Sequence, residues 1–472
     1  MNGRRPLSEG KSAQREQPGI AVATSYGLLQ FPLGLLIPPL TSMIPGFFAE
    51  TMGMPLAVVG TISGLMRFYH VVSDPLCGAL SDRTRTRWGR RRPWIAAGLA
   101  VLMIGVWLTF MPPVRTASPA YFAVALLLVY SGCSLIQIPY YAWGAELPGT
   151  PFGKARMLGL REVLGVIGLM LSAMAPLAAS TLGFKSNGRE ALSMLGVSVL
   201  VVTPLMAALL MFGVREAPAT REDAGGRSVG RALLDFWTAL KSNRPFRIEL
   251  AGAFIINIGL LLWQSISYFY LSHVLHQEKM FGVVALAAGV CAVASAPLWI
   301  YLSKRFEVHR LIAVATIAGA AIHVLGFSLL PIEHPLVLLA VEIPQSIVLV
   351  APLLLSPAIQ AMAIDYGTLN SGVDRAGTYV SLTQLASGVA SAFPFLIVFP
   401  LLAWAGFNPA VAKAGGAIDP QGLAALKMLG VYGAAPVQII GALLYAAFPI
   451  NKAEAVRIGS ALAEMRGQAD AR

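Results

Sequence analysis

Apolar runs long enough to cross a bilayer as α-helices, about twenty residues each, recur along the chain. They cover 20–47, 56–80, 94–112, 119–146, 157–180, 191–213, 248–274, 281–302, 309–330, 335–364, 377–404 and 425–449. Short polar segments separate them. The pattern predicts an all-α membrane protein of 12 transmembrane helices, since a helix satisfies its own backbone in lipid. Pro32, Pro38, Pro39, Pro139, Pro344 and Pro357 fall inside runs and mark places for kinks. The longest polar interval parts the runs six and six. The expected units are a tail over 1–19, a six-helix bundle over 20–213, a linker over 214–247, a second six-helix bundle over 248–449 and a tail over 450–472.

Loop charge sets the orientation. Arg83 to Arg92, Lys154 and Arg156, the linker arginines, Lys304, Arg305, Arg310 and Arg375 follow the even-numbered runs. The opposite loops hold only Arg115, Lys185, Arg189, Lys279 and Lys413. The positive-inside rule then places both termini in the cytoplasm. A repeat supports the division: LSDR at 80–83 follows the second run and LSKR at 302–305 follows the eighth. Glu146 precedes Arg156 by ten residues, as Asp365 precedes Arg375. Two such coincidences at half-chain spacing indicate a duplicated six-helix unit, a build used by alternating-access carriers of the major facilitator superfamily.

Composition narrows the class. Hydrophobic residues are 56% of the 472 and charged residues 12%, with mean hydropathy +0.68. The formal charge of +12 sits mostly in short loops, where topology accounts for it and a nucleic-acid partner is not expected. Cys77, Cys133 and Cys291 all lie in apolar runs, so neither a disulfide framework nor a thiolate metal site is expected. No apolar region with a cleavage site follows the polar start, so no removed signal peptide is expected. Without a P-loop, zinc motif or nucleophile elbow, the reading is neither an enzyme nor a cofactor or metal protein.

Three segments carry a resemblance. SDRTRTRWGRRRPW, QIPYYAWGAEL with ARMLGLRE (137–162), and IDYGTLNSGVDRAGTY (364–379) resemble the glycoside/pentoside/hexuronide:cation symporters, the melibiose-carrier family. They lie in both halves and in the expected order. The resemblance implies the two-bundle superfamily fold in the bacterial inner membrane. It also implies a secondary transporter that carries a sugar or glycoside by alternating access, a small-molecule partner and surrounding lipid. A monomer is expected.

The second run holds Arg67, His70 and Asp74, three and four apart on one helical face with Ser63 a turn earlier. Intramembrane charge is costly and marks function by default. The family segment has arginine, aspartate and aspartate there, the carboxylates serving cation coupling; here His70 replaces the first. Gln137 replaces another family aspartate and Ala386 a family lysine. Sodium prefers oxygen donors whereas imidazole titrates near neutral pH. Coupling through Asp74 and His70, with Arg67 beside them, therefore points to a proton rather than sodium. The competing reading is a structural Arg67–Asp74 pair with transport by diffusion or exchange.

Gly34 falls where the melibiose carrier has a substrate-binding aspartate. Recognition then rests on Gln30, Gln137, Tyr140, Tyr141, Arg161, Asn257, Trp263, Gln264, Tyr268 and Gln384, with Trp263 and Gln264 equally plausible as packing residues. Glu162 should pair with a neighbouring run; His323 and Glu342 are the other mid-run ionisable groups. Asp82, Arg83, Arg90, Glu146, Arg156, Asp365 and Arg375 form a candidate cytoplasmic gate, or a solvated face of topology charges. Two alternatives stay open: carriage of a non-sugar, amphipathic solute, and a non-transporting sensor or assembly factor on the same fold.

Overall fold

The computed structural model describes residues 20–147, 151–183, 189–216, 237, 238, 240–277, 279–373, 375–413 and 416–470. The tail over 1–19 and most of the expected linker lie outside them. Eleven helices among the described residues are long and apolar enough to span a membrane. In order, α1 is Ile20–Glu50, α2 Leu56–Arg83, α3 Arg92–Phe110 and α4 Pro119–Glu146. Helix α5, Pro151–Ala173, holds the expected fifth run. Its first half carries Lys154, Arg156, Arg161 and Glu162 and it breaks at Met174 before Ala175–Thr181, so its apolar part is too short to count with the eleven. Then come α6 (Arg189–Gly213), α7 (Arg244–Val274), α8 (Met280–Arg305), α9 (Val308–Leu329), α10 (Pro335–Ser371), α11 (Ala376–Trp404) and α12 (Pro420–Ala446).

Local chemistry moves some boundaries. Helix α7 starts at Arg244 rather than 248, because Asn243 Oδ1 caps the Phe246 amide at 3.0 Å and Pro245 sits in the first turn. Asn243 also donates to the Ala363 carbonyl at 2.7 Å, fixing α7 to α10. The tail from 450 is not merely polar. It forms α13 (Lys452–Asp470), which packs on α10 with Ile458 and Leu462 buried.

Packing repeats itself along the chain. Helix α1 packs on α5 and α6, α2 on α4, and α3 on α4 and α6. Six helices on, α7 packs on α11 and α12, α8 on α10, and α9 on α10 and α12. Contacts between the two sets are α1 with α7, α2 with α11 and α5 with α8. The last two are counterparts under the same exchange, and glycines make both. A Cβ on Gly60 of α2 would lie 2.7 Å from the Phe395 carbonyl; one on Gly282 of α8 would lie 2.7 Å from that of Ala173. Gly60 and Gly282 are separated by as many residues as Leu80 and Leu302, and so are Ala173 and Phe395. Small residues let helices touch backbone to backbone, where association in lipid rests on packing.

One apolar cluster joins the two sets, with Phe48, Leu56 and Val59 against Phe269, Phe395, Phe399 and Phe407. It lies at the end of the helices opposite the Arg83–Arg92 loop. The same end holds Glu50 of α1, whose carboxylate meets His273 Nε2 of α7 at 3.0 Å with 2% and 11% of the side chains exposed. Phe269 and Phe407 flank the imidazole.

Candidate functional site

Helix α1 contains a π-helical turn, Pro39–Met43, in which the Ile44 amide bonds to the Pro39 carbonyl. The Leu40 carbonyl would then look to residue 45, which is proline and has no N–H. Arg67 of α2 supplies the donor instead, Nη2 to Leu40 O at 2.9 Å, with its guanidinium 4.1 Å from the Phe395 ring centre. Arg67 is thus held by a backbone orphan and an aromatic face of α11, not by Asp74. The Arg67–Asp74 pair of the competing reading does not form among the described residues. Asp74 meets His70 instead, Oδ2 to Nδ1 at 3.3 Å, both partly exposed, and its Oδ1 has no hydrogen-bond partner among the described residues. The imidazole and Tyr130 of α4 form an edge-to-face pair, and Ser73 and Tyr69 bond to Ser134 and Ser131 on the same helix.

The first-half binding candidates separate into two groups. Gln30 Nε2 donates to Tyr141 Oη at 3.4 Å, and the Arg161 guanidinium stacks 4.4 Å from the Tyr141 ring. Glu162 binds Arg161 itself rather than a neighbouring helix. Tyr140 is fully buried and exchanges hydroxyl-to-carbonyl bonds with Tyr26; it is a packing residue. Gln137 is half-buried on α4. Gly34 does not face solute space at all: a Cβ there would lie 2.1 Å from the Gly165 carbonyl of α5, and one on Gly168 2.1 Å from that of Phe31. The backbones of α1 and α5 touch at this seam, and Ser172 Oγ bonds to Leu35 O at 2.7 Å.

Two cavities hold the others except Tyr268. A central cavity of about 360 Å³ lies between α1, α5, α7, α8 and α10, reached by Trp263, Gln264, Thr41, Ser42 and Glu342. Trp263 also packs on His323 and Phe327, centroids 4.7 and 5.2 Å away, so it serves both as wall and as core. Tyr268 is buried against Phe281 and Gly46. A second cavity of about 350 Å³, inside the second set, is lined by Asn257, Gln384, Gln360, Ser356 and Tyr445. His323 is a satisfied core residue, its ring nitrogens on Gln345 and the Gly430 carbonyl.

The basic loop is folded onto its own half. Arg91, 3% exposed, pairs with Asp82 at 2.6 Å and Glu146 at 2.5 Å, and Arg90 reaches Glu146 at 2.6 Å. Glu216 accepts from the backbone amides of Arg90 and Arg91, both at 2.6 Å. Gly89 permits this: its φ is +110°, and a Cβ would sit 2.0 Å from that carboxylate. Glu146 therefore takes Arg90 and Arg91 rather than Arg156, which is exposed, as is Asp365. No ion pair joins Asp365 to Arg375, or involves Arg83, among the described residues.

Sequence reasoning missed Arg91, Glu216, the Glu50–His273 contact and Glu249. Glu249 is fully buried beside the Ser356–Tyr445 hydroxyl pair (2.8 Å). Its signal was the Asn243 cap, which puts it in the second turn of α7.

Two repeated sets of membrane helices, sealed together at one end around a cavity that both sets line, are the build of a solute carrier. The family model for "MFS/sugar transport protein" matches residues 25–452, and the chain belongs to that family. It is 27% identical over 344 residues to the glucuronide carrier protein homolog of Escherichia coli (strain K12), covering 71% of this chain and 73% of that one. It is 31% identical over 205 residues to the inner membrane symporter YicJ of the same organism, covering 40% and 42%. Its fold matches a solved mutant of the nucleoside transporter NupG with TM-score 0.65 at 12% identity, over 90% of this chain and 99% of the other. The protein is a multi-pass inner-membrane transporter and not an enzyme.

Proposed function

We propose that the chain is a proton-coupled symporter of a sugar or glycoside, acting as a monomer of two six-helix bundles by alternating access, with both termini cytoplasmic. The observation that carries the coupling is the His70–Asp74 contact with Arg67 engaged elsewhere. Had Arg67 neutralised Asp74, the carboxylate would be a fixed structural charge. Its partner is instead an imidazole, a side chain that can take up and release a proton and is a poor sodium ligand. The sugar class is supported by the family and by the names of the relatives.

In this reading the Glu50–His273 end is periplasmic and closed, the cavities open to the cytoplasm, and the outward-facing state requires the Glu50 latch to part. Asp82, Arg90, Arg91 and Glu146 keep the basic loop rigid, ready to meet the Asp365–Arg375 face when the cytoplasmic end closes. The test is uptake of radiolabelled mono- and disaccharides into proteoliposomes, with a pH gradient imposed and sodium varied separately. Accumulation of one sugar that follows the pH gradient and ignores sodium is the expected result. Sodium-driven uptake would overturn the coupling, and no uptake of any sugar by folded protein would overturn the solute.

A further inference from the structure

The central cavity has spent its hydroxyl donors on its own backbone. Thr41 donates to Ile37 and Pro38 carbonyls, Ser42 and Ser267 to that of Gln264, and Ser346 to that of Glu342. Their oxygens remain only as acceptors. Gln345 is turned to His323. The polar groups left for a solute are the exposed Gln264 amide, the indole N–H of half-buried Trp263, the amide nitrogen of Gln345 and the carboxyl of Glu342, 6% exposed, whose Oε1 has no hydrogen-bond partner among the described residues.

Among the described residues, no lysine, arginine or histidine lines this cavity. Two arginines of the first set are committed elsewhere: Arg67 to Leu40 O and the Phe395 ring, Arg161 to Glu162 and the Tyr141 ring. The same cavity is lined by the small apolar surface of α8, Ala285, Ala288 and Ala292. The site is thus rich in acceptors, carries a carboxyl and, among the described residues, offers no cation to pair with an anion. A desolvated acceptor placed against another acceptor, or against like charge, is strongly disfavoured.

We infer that Glu342 sets the charge selectivity of the central cavity, admitting neutral or amino-bearing glycosides through their hydrogen-bond donors and rejecting sugar acids. The inference rests on the proposed carriage of a sugar or glycoside. It places recognition on α7 and α10, in the half opposite the one where the family resemblance sought it at position 34.

Trp263 lines the same cavity, so a bound nitrophenyl group should quench its fluorescence. The experiment titrates full-length protein in nanodiscs with 4-nitrophenyl β-D-glucoside and β-D-galactoside and with the matching 4-nitrophenyl uronides, which differ by one carboxylate. The neutral glycoside that binds should do so at least about tenfold more tightly than its uronide. Glu342→Gln, nearly isosteric but uncharged, should bring the pair to within about threefold. Glu342→Asp should keep the preference and shows that the site tolerates change, while Gln264→Ala should weaken both members alike. A uronide that binds as tightly as its glycoside, or a preference that survives Glu342→Gln, overturns the inference. Uptake of a free sugar with no nitrophenyl glycoside bound also overturns it, while leaving the proposed function standing. Failure of every sugar to bind or enter removes both.

Discussion

Asp74 and His70 sit one helical turn apart, and that spacing placed them on one face before any coordinates, though not as each other's partner. Arg67 was legible as an ionisable group but not as a partner: its acceptor exists because a π-turn and Pro45 together strip the Leu40 carbonyl of a donor, and neither is a matter of spacing. Asp74→Asn is expected to abolish accumulation, while His70→Ala weakens proton-linked accumulation more than solute exchange. Equal, mild losses from both in parallel uptake and counterflow assays would sink the coupling role. Gly34 teaches a different lesson. Alignment gives a position but not the rotation of its helix, and here the rotation presents Gly34 to the α5 backbone. Gly34→Asp should therefore restore no substrate site. It should destabilise the protein by at least about 1–3 kcal/mol, the usual cost of overpacking, seen as a lower midpoint in a denaturing-detergent titration and a poor yield of monodisperse protein.

At the scale of elements, hydrophobic periodicity located the runs because lipid demands long apolar helices, and it erred where ends are decided by single side chains. The Asn243 cap moved α7. Helix α13 was missed because it buries only a narrow stripe, including Ile458 and Leu462, on one face of an otherwise polar segment. The basic loop read as charge alone, yet it is a built structure: Gly89, Glu216 and Arg91 tie the connection between α2 and α3 to the ends of α4 and α6. Arg91→Ala would leave Glu146 with Arg90 alone and Asp82 without its pair. Because Asp82 is 56% exposed, part of that loss is screened, and a destabilisation of about 1–3 kcal/mol is expected. Faster proteolysis within 84–91 would accompany it; an unchanged cleavage rate would show that the loop holds without this clamp.

For the whole molecule, the two halves were visible in LSDR and LSKR, and the close approaches of Gly60 and Gly282 follow the same spacing in space. What no pattern in the sequence disclosed is where the halves meet and where they part, since that depends on side chains distant along the chain. The sealed end rests on Glu50 and His273 over an aromatic floor. Weakening it should favour the opposite opening. In a background with Cys77, Cys133 and Cys291 replaced, a cysteine at Thr41 should react faster with a membrane-impermeant thiol reagent from the side that carries Glu50, periplasmic in the proposed orientation, once Glu50→Gln is introduced. No change in that rate would mean that the apolar floor alone keeps the end shut.

The Glu50–His273 contact also has a thermal consequence. When the imidazole is charged, closing this end strips two ions of water, and the penalty for doing so shrinks as heat makes ionic hydration less favourable. In the proposed alternating-access cycle, warming should thus tilt the resting population toward the state closed at Glu50, and cooling should release it, so that the direction in which the empty carrier waits depends on the climate of the cell that holds it.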